Sequence, residues 1–583
     1  MMGLSAEQRA IVDAPLAPLS VIACAGSGKT HTAVHRLIEI RRRLDESRGR
    51  VALLSFSNVA VQTFRDTYLP LAQTLPPGRG RQRVEIDTLD GFITTHILRP
   101  HASRTMGCSR APFLISGAEP FLKNKDFLFW AQPTNGKKAF PVPHDKIEKV
   151  VANHHGGTTQ FGFRMNKTLI PINGGTAVVA RLGAIGAYTH SLGQVWALRT
   201  LQRQRLILRA LVRRYPHVLI DESQDIGTVH QAILQELANA GTHVTLIGDP
   251  SQGIYEFAGA DGQFLTDYGQ RAGVRSYALT RNFRSVPSVV ALANALASRV
   301  DTADRPKPEE SHGAFFIGYK KADRDKLLVA FQAAVAAAGL CVDKSAVVCR
   351  ASATAAALVG ADASIGQGLV KQFARAALLR DQRRDFSGAF KVVAGCIAGL
   401  LKKPGDGWLA SVIQATRHPE MKPVRRLIWS FTRDPGTGLP ASTLVADTQW
   451  QPQLLANIRA LMASLQEDHG LEPVPNLGSR LAKTELRNAP LHAGADLATG
   501  PHANLRIHTV HKVKGETLDA VLYLAEKDHA EALLRGAETE LGRIGYVAVT
   551  RARNLVWLGV PSTALDALRP ALVARGFSEV GVA

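Results

Sequence analysis

Val21–Thr32 reads VIACAGSGKTHT. An apolar run, Val21-Ile22-Ala23, enters a turn of small residues, and Lys29-Thr30 opens a segment, TAVHRLIEI, with the apolar spacing of a helix. The order is strand, loop, helix. In such a loop Gly26 and Gly28 let backbone N–H groups point inward around a phosphate chain, while the helix N-terminus adds partial positive charge. The spacing is that of the G-x-x-x-x-G-K-[ST] phosphate loop except at its first position, where Ala23 stands. In that motif Lys29 reaches the β/γ-phosphates and Thr30 ligates Mg²⁺. A nucleotide site walled by Ala25, Gly26, Ser27, Gly28, Lys29, Thr30 and His31 is the expectation from which the rest of the chain is read.

Two further strand-end boxes supply what phosphate chemistry needs. PHVLIDESQDIG sets Asp221 and Glu222 directly after a short apolar strand, where side chains face the ligand crevice of an open α/β sheet. Asp221 can share Mg²⁺ with Thr30, and Glu222 stands where a water in line with the γ-phosphate needs a base. LIGDPSQGIYEF adds Asp249 and Gln252, whose amide can sense whether a γ-phosphate is present. Apolar runs of strand length recur as LSVIACA, RVALLSFS, HVLIDES and HVTLIGD, then SAVVCRA, AVLYLAE and LVWLGV, most followed by helical patterns. They fall in two groups, before about residue 285 and after about residue 310. Two α/β units with parallel sheets are therefore expected. From His96 to about Gly186 the text turns rich in Pro, Gly, Asn and His, and from about Gln372 to Thr499 it is helical in period; both stretches read as insertions.

At 583 residues the chain exceeds what a single core serves, and its 45% hydrophobic and 20% charged content is that of an ordinary globular protein. Lys and Arg number 70 against 49 Asp and Glu, a net charge of +21, which favours a polyanionic partner, nucleic acid above all. The five cysteines form no metal-ligand spacing and fit a reducing compartment. MMGLSAEQRA lacks a signal-peptide apolar region, so a cytoplasmic location with no membrane partner is expected.

Taken in order, these boxes resemble the UvrD/Rep-like helicases of superfamily 1. LSAEQRAIV resembles their N-terminal glutamine motif, LLSFSNVAVQTF their TFTNKAA box, and VEIDTLDGF the short box after it. LTRNFRS is similar to NYRS, VVCRASA to LYRSNA, HTVHKVKGE to T-x-H-x-x-KG, and GYVAVTRARNLVWLG to YVAVTRA. The resemblance runs from Leu4 to Trp557, outside the two insertions. It implies two RecA-like P-loop NTPase domains, each a parallel sheet flanked by helices and each with an inserted, mainly helical subdomain. The first would comprise residues 1–95 and 187–285 with 96–186 inserted, the second residues 286–371 and 500–583 with 372–499 inserted.

The resemblance also implies roles. ATP with Mg²⁺ would lie between the domains, held by Lys29, Thr30, Asp221, Glu222 and Gln252 on one wall, with Arg284 and Arg551 reaching the γ-phosphate. Gln8 would read adenine, Phe283 would stack on it in place of the usual Tyr, and Glu516 would touch the ribose, although it directly follows Gly515 where the family commonly has one residue between. Single-stranded DNA and its junction with duplex would be the partner. Phe56, Tyr255 and Phe257 would offer stacking faces, with Asn58, Thr88, Arg350, Thr509 and His511 at backbone- and base-contacting positions. Val59 and Ala258 stand where the family carries Lys and Arg, which removes charge along that track. UvrD-type motifs imply 3′ to 5′ movement. Three activities remain open at this stage: duplex unwinding, in DNA repair, replication restart or phage defence; translocation with little unwinding; and DNA sensing that regulates a partner nuclease.

Overall fold

The computed structural model describes residues 3–44, 49–73, 83–117, 119–134, 137–165, 168–256, 259–260, 262–306, 311–358, 365–382, 384–405, 407–414, 418–491 and 505–580. Two six-stranded sheets organise it, and every strand pair in both is parallel. The first has the spatial order Arg275–Leu279, Leu19–Ala23, His243–Gly248, His217–Ile220, Val51–Ser55, Val84–Thr88. The second has the order Arg506–Thr509, Ala346–Cys349, Leu518–Leu524, Ala552–Pro561, Gly313–Tyr319, Ser578–Glu579. Their central strands are apolar on both faces, as helices packed on each side of a sheet require; all five residues of Val51–Ser55 and all four of Ala346–Cys349 are buried. The two strand groups and the parallel α/β architecture read from the sequence are those of the molecule.

The first sheet explains why its boxes meet. Leu19–Ala23, His243–Gly248 and His217–Ile220 lie side by side and run the same way. Their C-terminal ends therefore deliver the phosphate loop, Asp249 and Asp221 to one edge, where crossing helices leave a crevice. Upstream, Ser5 caps the helix Ala6–Val12 in a reciprocal capping box with Gln8, which fixes Gln8 beside the phosphate loop.

The first insertion corrects the expectation of a mainly helical subdomain. It is built on a five-stranded antiparallel sheet, in the order Phe140–Pro141, Trp130–Ala131, Thr168–Asn173, Thr158–Met165, Val150–His155, with short helices at its margins. The cause is a period-two pattern set among turn formers: Val150 and Ala152, Phe161 and Phe163, and Ile170 and Ile172 are buried on one face. Gly156 and Gly157, both at positive φ, make the tight hairpin between two of its strands. Gly156 and Gly157 in the turn, and Asn153 and Gly162 within the strands, mask the pattern in the text. Its interior is continuous with that of the first sheet, since one apolar cluster runs from Leu54 and Ile220 to Phe163 and Ile172.

The second insertion is helical, as its periodicity indicates. Gly368–Asp381, Phe386–Leu400, Trp408–Ile413, Lys422–Arg433 and Gln451–His469 surround an apolar interior of their own. Trp450 is fully buried there, with its indole N–H donated to the Pro440 carbonyl at 3.2 Å. Trp450→Ala should destabilise this unit by about 3–5 kcal/mol. Chemical denaturation followed by Trp fluorescence and circular dichroism checks this, and an unshifted midpoint would contradict the packing. Among the described residues no helix is long and apolar enough to cross a membrane.

Candidate functional site: a phosphate-loop cleft and the cavity beside it

The loop after Leu19–Ala23 owes its shape to its glycines. Gly26 and Gly28 adopt φ of 74° and 78°, and Gly28 caps the helix Lys29–Arg43. A Cβ on Gly26 would come within 2.6 Å of the Arg284 Cβ, and one on Gly28 within 2.8 Å of Gln8 Nε2, so neither position admits a side chain. Gln8 donates its amide to the Ser27 carbonyl at 3.1 Å, and Ser27 donates its hydroxyl to the Cys24 carbonyl at 2.9 Å. Among the described residues the buried Lys29 ammonium hydrogen-bonds only the Cys24 carbonyl, at 3.3 Å. Burial pushes the Cys24 thiol up to about 12, so it sits in the loop as a small neutral group.

Thr30 donates its hydroxyl to Asp221 Oδ2 at 3.1 Å, joining the loop to the next strand end. Asp221 is 1% exposed; burial, reinforced by the adjacent Glu222 charge, pushes its carboxyl well above the usual range. Burial also opposes charge on Glu222, but Lys29, Lys514 and a hydrogen bond from Gln224 outweigh it and hold that carboxyl below its ordinary value. One carboxylate is thus kept ionised. The other is driven toward its neutral form. Glu222 has φ 56°, a left-handed conformation that is uncommon without glycine and recurs at functional turns. Gln224 ties this turn to the third box by accepting the Asp249 N–H at 3.0 Å.

The opposing lobe supplies cations. Arg551, 2% exposed, follows the helix Glu540–Val549 and donates to Gln252 Oε1 at 2.7 Å, while Gln252 donates to Asp249 Oδ2 at 2.7 Å. Arg284 lies where the chain crosses between the lobes: the Phe283 N–H bonds the Gly26 carbonyl at 2.9 Å and Arg284 donates to the Thr550 carbonyl at 3.0 Å. Asn282 holds that turn through the N–H groups of Arg284 and Ser285, at 2.8 and 2.9 Å. Burial, then the Arg551 charge, pushes Arg284 down to about 9, and burial lowers Arg551 as well. Among the described residues neither guanidinium forms an ion pair with a carboxylate. Two desolvated arginines, a lysine and a buried pair of carboxyls at the mouth of a glycine-containing loop before a helix make a set suited to a polyphosphate with a divalent ion.

Beside this cleft opens a cavity of about 720 Å³. It runs from Thr30, Asp221 and Glu222 past Phe56 and Tyr255 to His511 and Glu516. Phe56 is half-buried and meets the His230 ring edge-on at 5.9 Å; Tyr255 meets His511 at 5.8 Å. Burial lowers the pKa of His511, which favours its neutral form. Of the other expected polynucleotide contacts, Asn58 is exposed at the start of a helix capped by Ser57, and Thr88 spends its hydroxyl on the Gly91 N–H at 2.9 Å. Thr509 ends the strand Arg506–Thr509 and Arg350 follows the neighbouring strand Ala346–Cys349. These four are not among the residues that wall the cavity. Phe257 and Ala258 lie outside the described residues. Val59 stands at the wall, 76% exposed. On the nucleotide side, His31 is paired with His35, Nε2 to Nε2 at 3.1 Å, Phe283 lies under the Arg281 guanidinium, and Glu516 is paired with Arg506 at 2.8 Å.

Several residues at this junction were not singled out from the sequence. Asp225, Asn282, Lys514 and Arg543 bridge the lobes or brace the turns: Lys514 bonds both Asp225 oxygens at 2.6 Å, and Arg543 bonds the Gly253 carbonyl at 2.6 Å and Glu256 at 2.8 Å. Each sits within a motif already quoted or close to one, ESQD, NFRS, VKGE and GYVAVTRA; Asn282 bonds its own neighbours, but Asp225, Lys514 and Arg543 find their partners more than 280 residues away.

Residues 4–132 and 191–272 match the family of the UvrD/REP helicase N-terminal domain. The gap between these segments coincides with most of the antiparallel inserted sheet. The chain is 22% identical over 582 residues to the ATP-dependent DNA helicase UvrD2 of Mycobacterium tuberculosis (strain ATCC 25618 / H37Rv), an alignment covering 94% of this chain and 77% of that protein. It is 26% identical over 303 residues to DNA helicase II of Haemophilus influenzae, and 26% over 302 residues to DNA helicase II of Escherichia coli K12, in each case over 50% of this chain and 40% of the relative.

Proposed function

We propose, on the premise that the chain is a UvrD/Rep-like DNA helicase and hence a DNA-dependent ATPase, that it moves 3′ to 5′ along single-stranded DNA and couples ATP hydrolysis to duplex unwinding. The observation that carries this is the convergence of Lys29, Thr30, Asp221, Glu222 and Gln252 from one sheet with Arg284 and Arg551 at the crossing to the other, with Thr30, Asp221 and Glu222 also on the wall of a cavity that reaches Phe56, Tyr255 and His511. In this reading residues 1–95 and 187–285 form one lobe, residues 286–371 and 500–583 the other, with 96–186 and 372–499 inserted.

Lys29 and the loop N–H groups bind the ATP phosphates, Gln8 and Phe283 receive the base, and Glu516 is the candidate for the ribose. Thr30 and Asp221 would hold Mg²⁺, which when bound supplies positive charge to the phosphate oxygens. Glu222, held ionised, accepts the proton of the attacking water. Arg284 and Arg551 meet the charge that develops on the transferred group, and Gln252, already bonded to Arg551, registers its presence. On the polynucleotide side Phe56, Tyr255 and Phe257 offer faces to successive bases, with Asn58, Thr88, Arg350, Thr509 and His511 along the backbone; each stacked base contributes about 1–3 kcal/mol. Opening and closing of the cleft changes the spacing of the two lobes along the strand. Advancing by one base pair costs about 1.4 kcal/mol of stacking, a load within one ATP cycle. Such an activity suits DNA repair and replication restart.

The test is strand displacement on duplexes with a 3′ or a 5′ single-stranded tail, together with ATP turnover with and without oligodeoxythymidylate. Displacement of the 3′-tailed duplex, with turnover that rises with the added strand, is the expected result. Displacement of the 5′-tailed duplex alone would reverse the polarity. Turnover indifferent to DNA would overturn the reading.

A further inference from the structure

Lys514 follows the short helix Val510–Val513 of the second lobe, and it is 8% exposed at its side chain. Its ammonium group has three donors, and all three reach the first lobe: Asp225 Oδ1 and Oδ2, each at 2.6 Å, and the main-chain carbonyl of Gln252 at 2.9 Å. The same nitrogen lies 4.9 Å from the centre of the Tyr255 ring, a cation–π distance. Tyr255 in turn meets His511, and Tyr255, His511, Lys514, Asp225 and Glu222 all wall the one cavity. A single charged group thus touches the turn that carries Glu222, the residue whose amide bonds Arg551, and the aromatic face offered to a base.

Stability alone does not account for such a contact. Asp225 is even more buried than its partner, with a side chain 4% exposed, and burial pushes its carboxyl up to about 6 despite the lysine beside it. Buried ion pairs of this kind are seldom more stabilising than an apolar pair of the same volume, and their best-attested use is to fix one arrangement among several. Lys514 is also among the charges that hold Glu222 ionised.

We propose that Lys514 is the positioning residue through which a strand stacked on Tyr255 sets the ATP-hydrolysing arrangement, by holding Asp225 and the Gln252 carbonyl in place across the cleft. The inference rests on the function proposed above and assigns its coupling to one side chain. When the strand orders Tyr255, the ammonium is confined between ring and carboxylate. The Ser223–Asp225 turn and Gln252 are then fixed relative to Arg551. Without a stacked strand the ring moves more freely and the contact across the lobes is held less firmly.

The experiment compares wild type, Lys514→Met, Asp225→Asn and the double variant as full-length proteins, recording ATP turnover against oligodeoxythymidylate concentration and thermal melting. Lys514→Met should keep the half-saturating DNA concentration within about threefold of wild type, while the ratio of DNA-stimulated to DNA-free turnover falls about tenfold or more. In the double variant, which carries no stranded buried charge, the melting temperature should recover and the stimulation should not. Equal stimulation of Lys514→Met and wild type would overturn the inference alone, as would recovery of stimulation together with melting temperature in the double variant. A wild-type protein indifferent to DNA would overturn the proposed function and this inference with it.

Discussion

Arg551→Ala should lower ATP turnover by about 10³–10⁵-fold, the range in which an arginine supplied to a transferring phosphoryl group acts. The size of the effect follows from where the side chain sits. Arg551 is buried, it has no carboxylate partner among the described residues, and its guanidinium is aimed across the cleft at the amide of Gln252. Burial works against its charge, and with Arg284 nearby two cations share a desolvated space. An arrangement that unfavourable in the empty cleft is most useful when negative charge spreads over phosphoryl oxygens, so little of it should be expressed in ground-state binding. A fluorescent ATP analogue should therefore bind the variant with affinity within about tenfold of wild type. The pair of measurements, equilibrium binding and single-turnover hydrolysis, separates this from a collapsed cleft, which would lose both. Turnover near the wild-type rate would remove Arg551 from the site.

Glu222→Gln should lower hydrolysis by about 10²–10⁴-fold while nucleotide and DNA remain bound. The substitution keeps the shape and the capacity to hydrogen-bond, and it removes the capacity to accept a proton. Glu222 is held ionised by Lys29, Lys514 and Gln224 against its burial, whereas its neighbour Asp221 is driven toward its neutral form by burial and by Glu222 itself. The two carboxyls are thus held in different states, which suits one to act as base and the other as a Mg²⁺ ligand in the proposed reaction. Retained DNA-stimulated hydrolysis in the Gln variant would assign the base elsewhere. Because Glu222 holds a left-handed backbone at a turn that Gln224 braces, Glu222→Ala is the poorer test, since it perturbs the turn as well as the chemistry.

The parts legible in the sequence were those whose physics is local. The phosphate loop is a short run in which small residues, positive φ and a following helix belong together, so Gly26, Gly28, Lys29 and Thr30 declare themselves. Asp221 and Asp249 follow apolar strands whose length and direction place them on one edge. Legibility ended where an arrangement depends on distant chain. Nothing near Asp225 announces a lysine 289 residues later, and nothing near Gly253 announces Arg543. The inserted sheet was missed for a different reason. Its strands carry Gly162, Pro171 and Asn153 at positions facing away from the apolar side, so composition spoke for turns while alternation spoke for strands. Counting alternation across Val150–Ile172 would have found it. Phe283 keeps an aromatic face where the family has Tyr, and its N–H grips the phosphate loop, a contact made by the main chain and indifferent to that exchange.

The two insertions differ in how they are joined to the rest. The antiparallel sheet shares its apolar interior with the first lobe, and its edge strand lends the His154 N–H to the hydroxyl of Thr228, three residues beyond Asp225. The helical insertion is filled by its own side chains. The sheet should therefore melt with the nucleotide-binding half as one cooperative block, while the helical unit melts on its own. A lineage could exchange or trim the helical module without unsettling the motor, whereas the sheet could be altered only together with the lobe whose interior it completes.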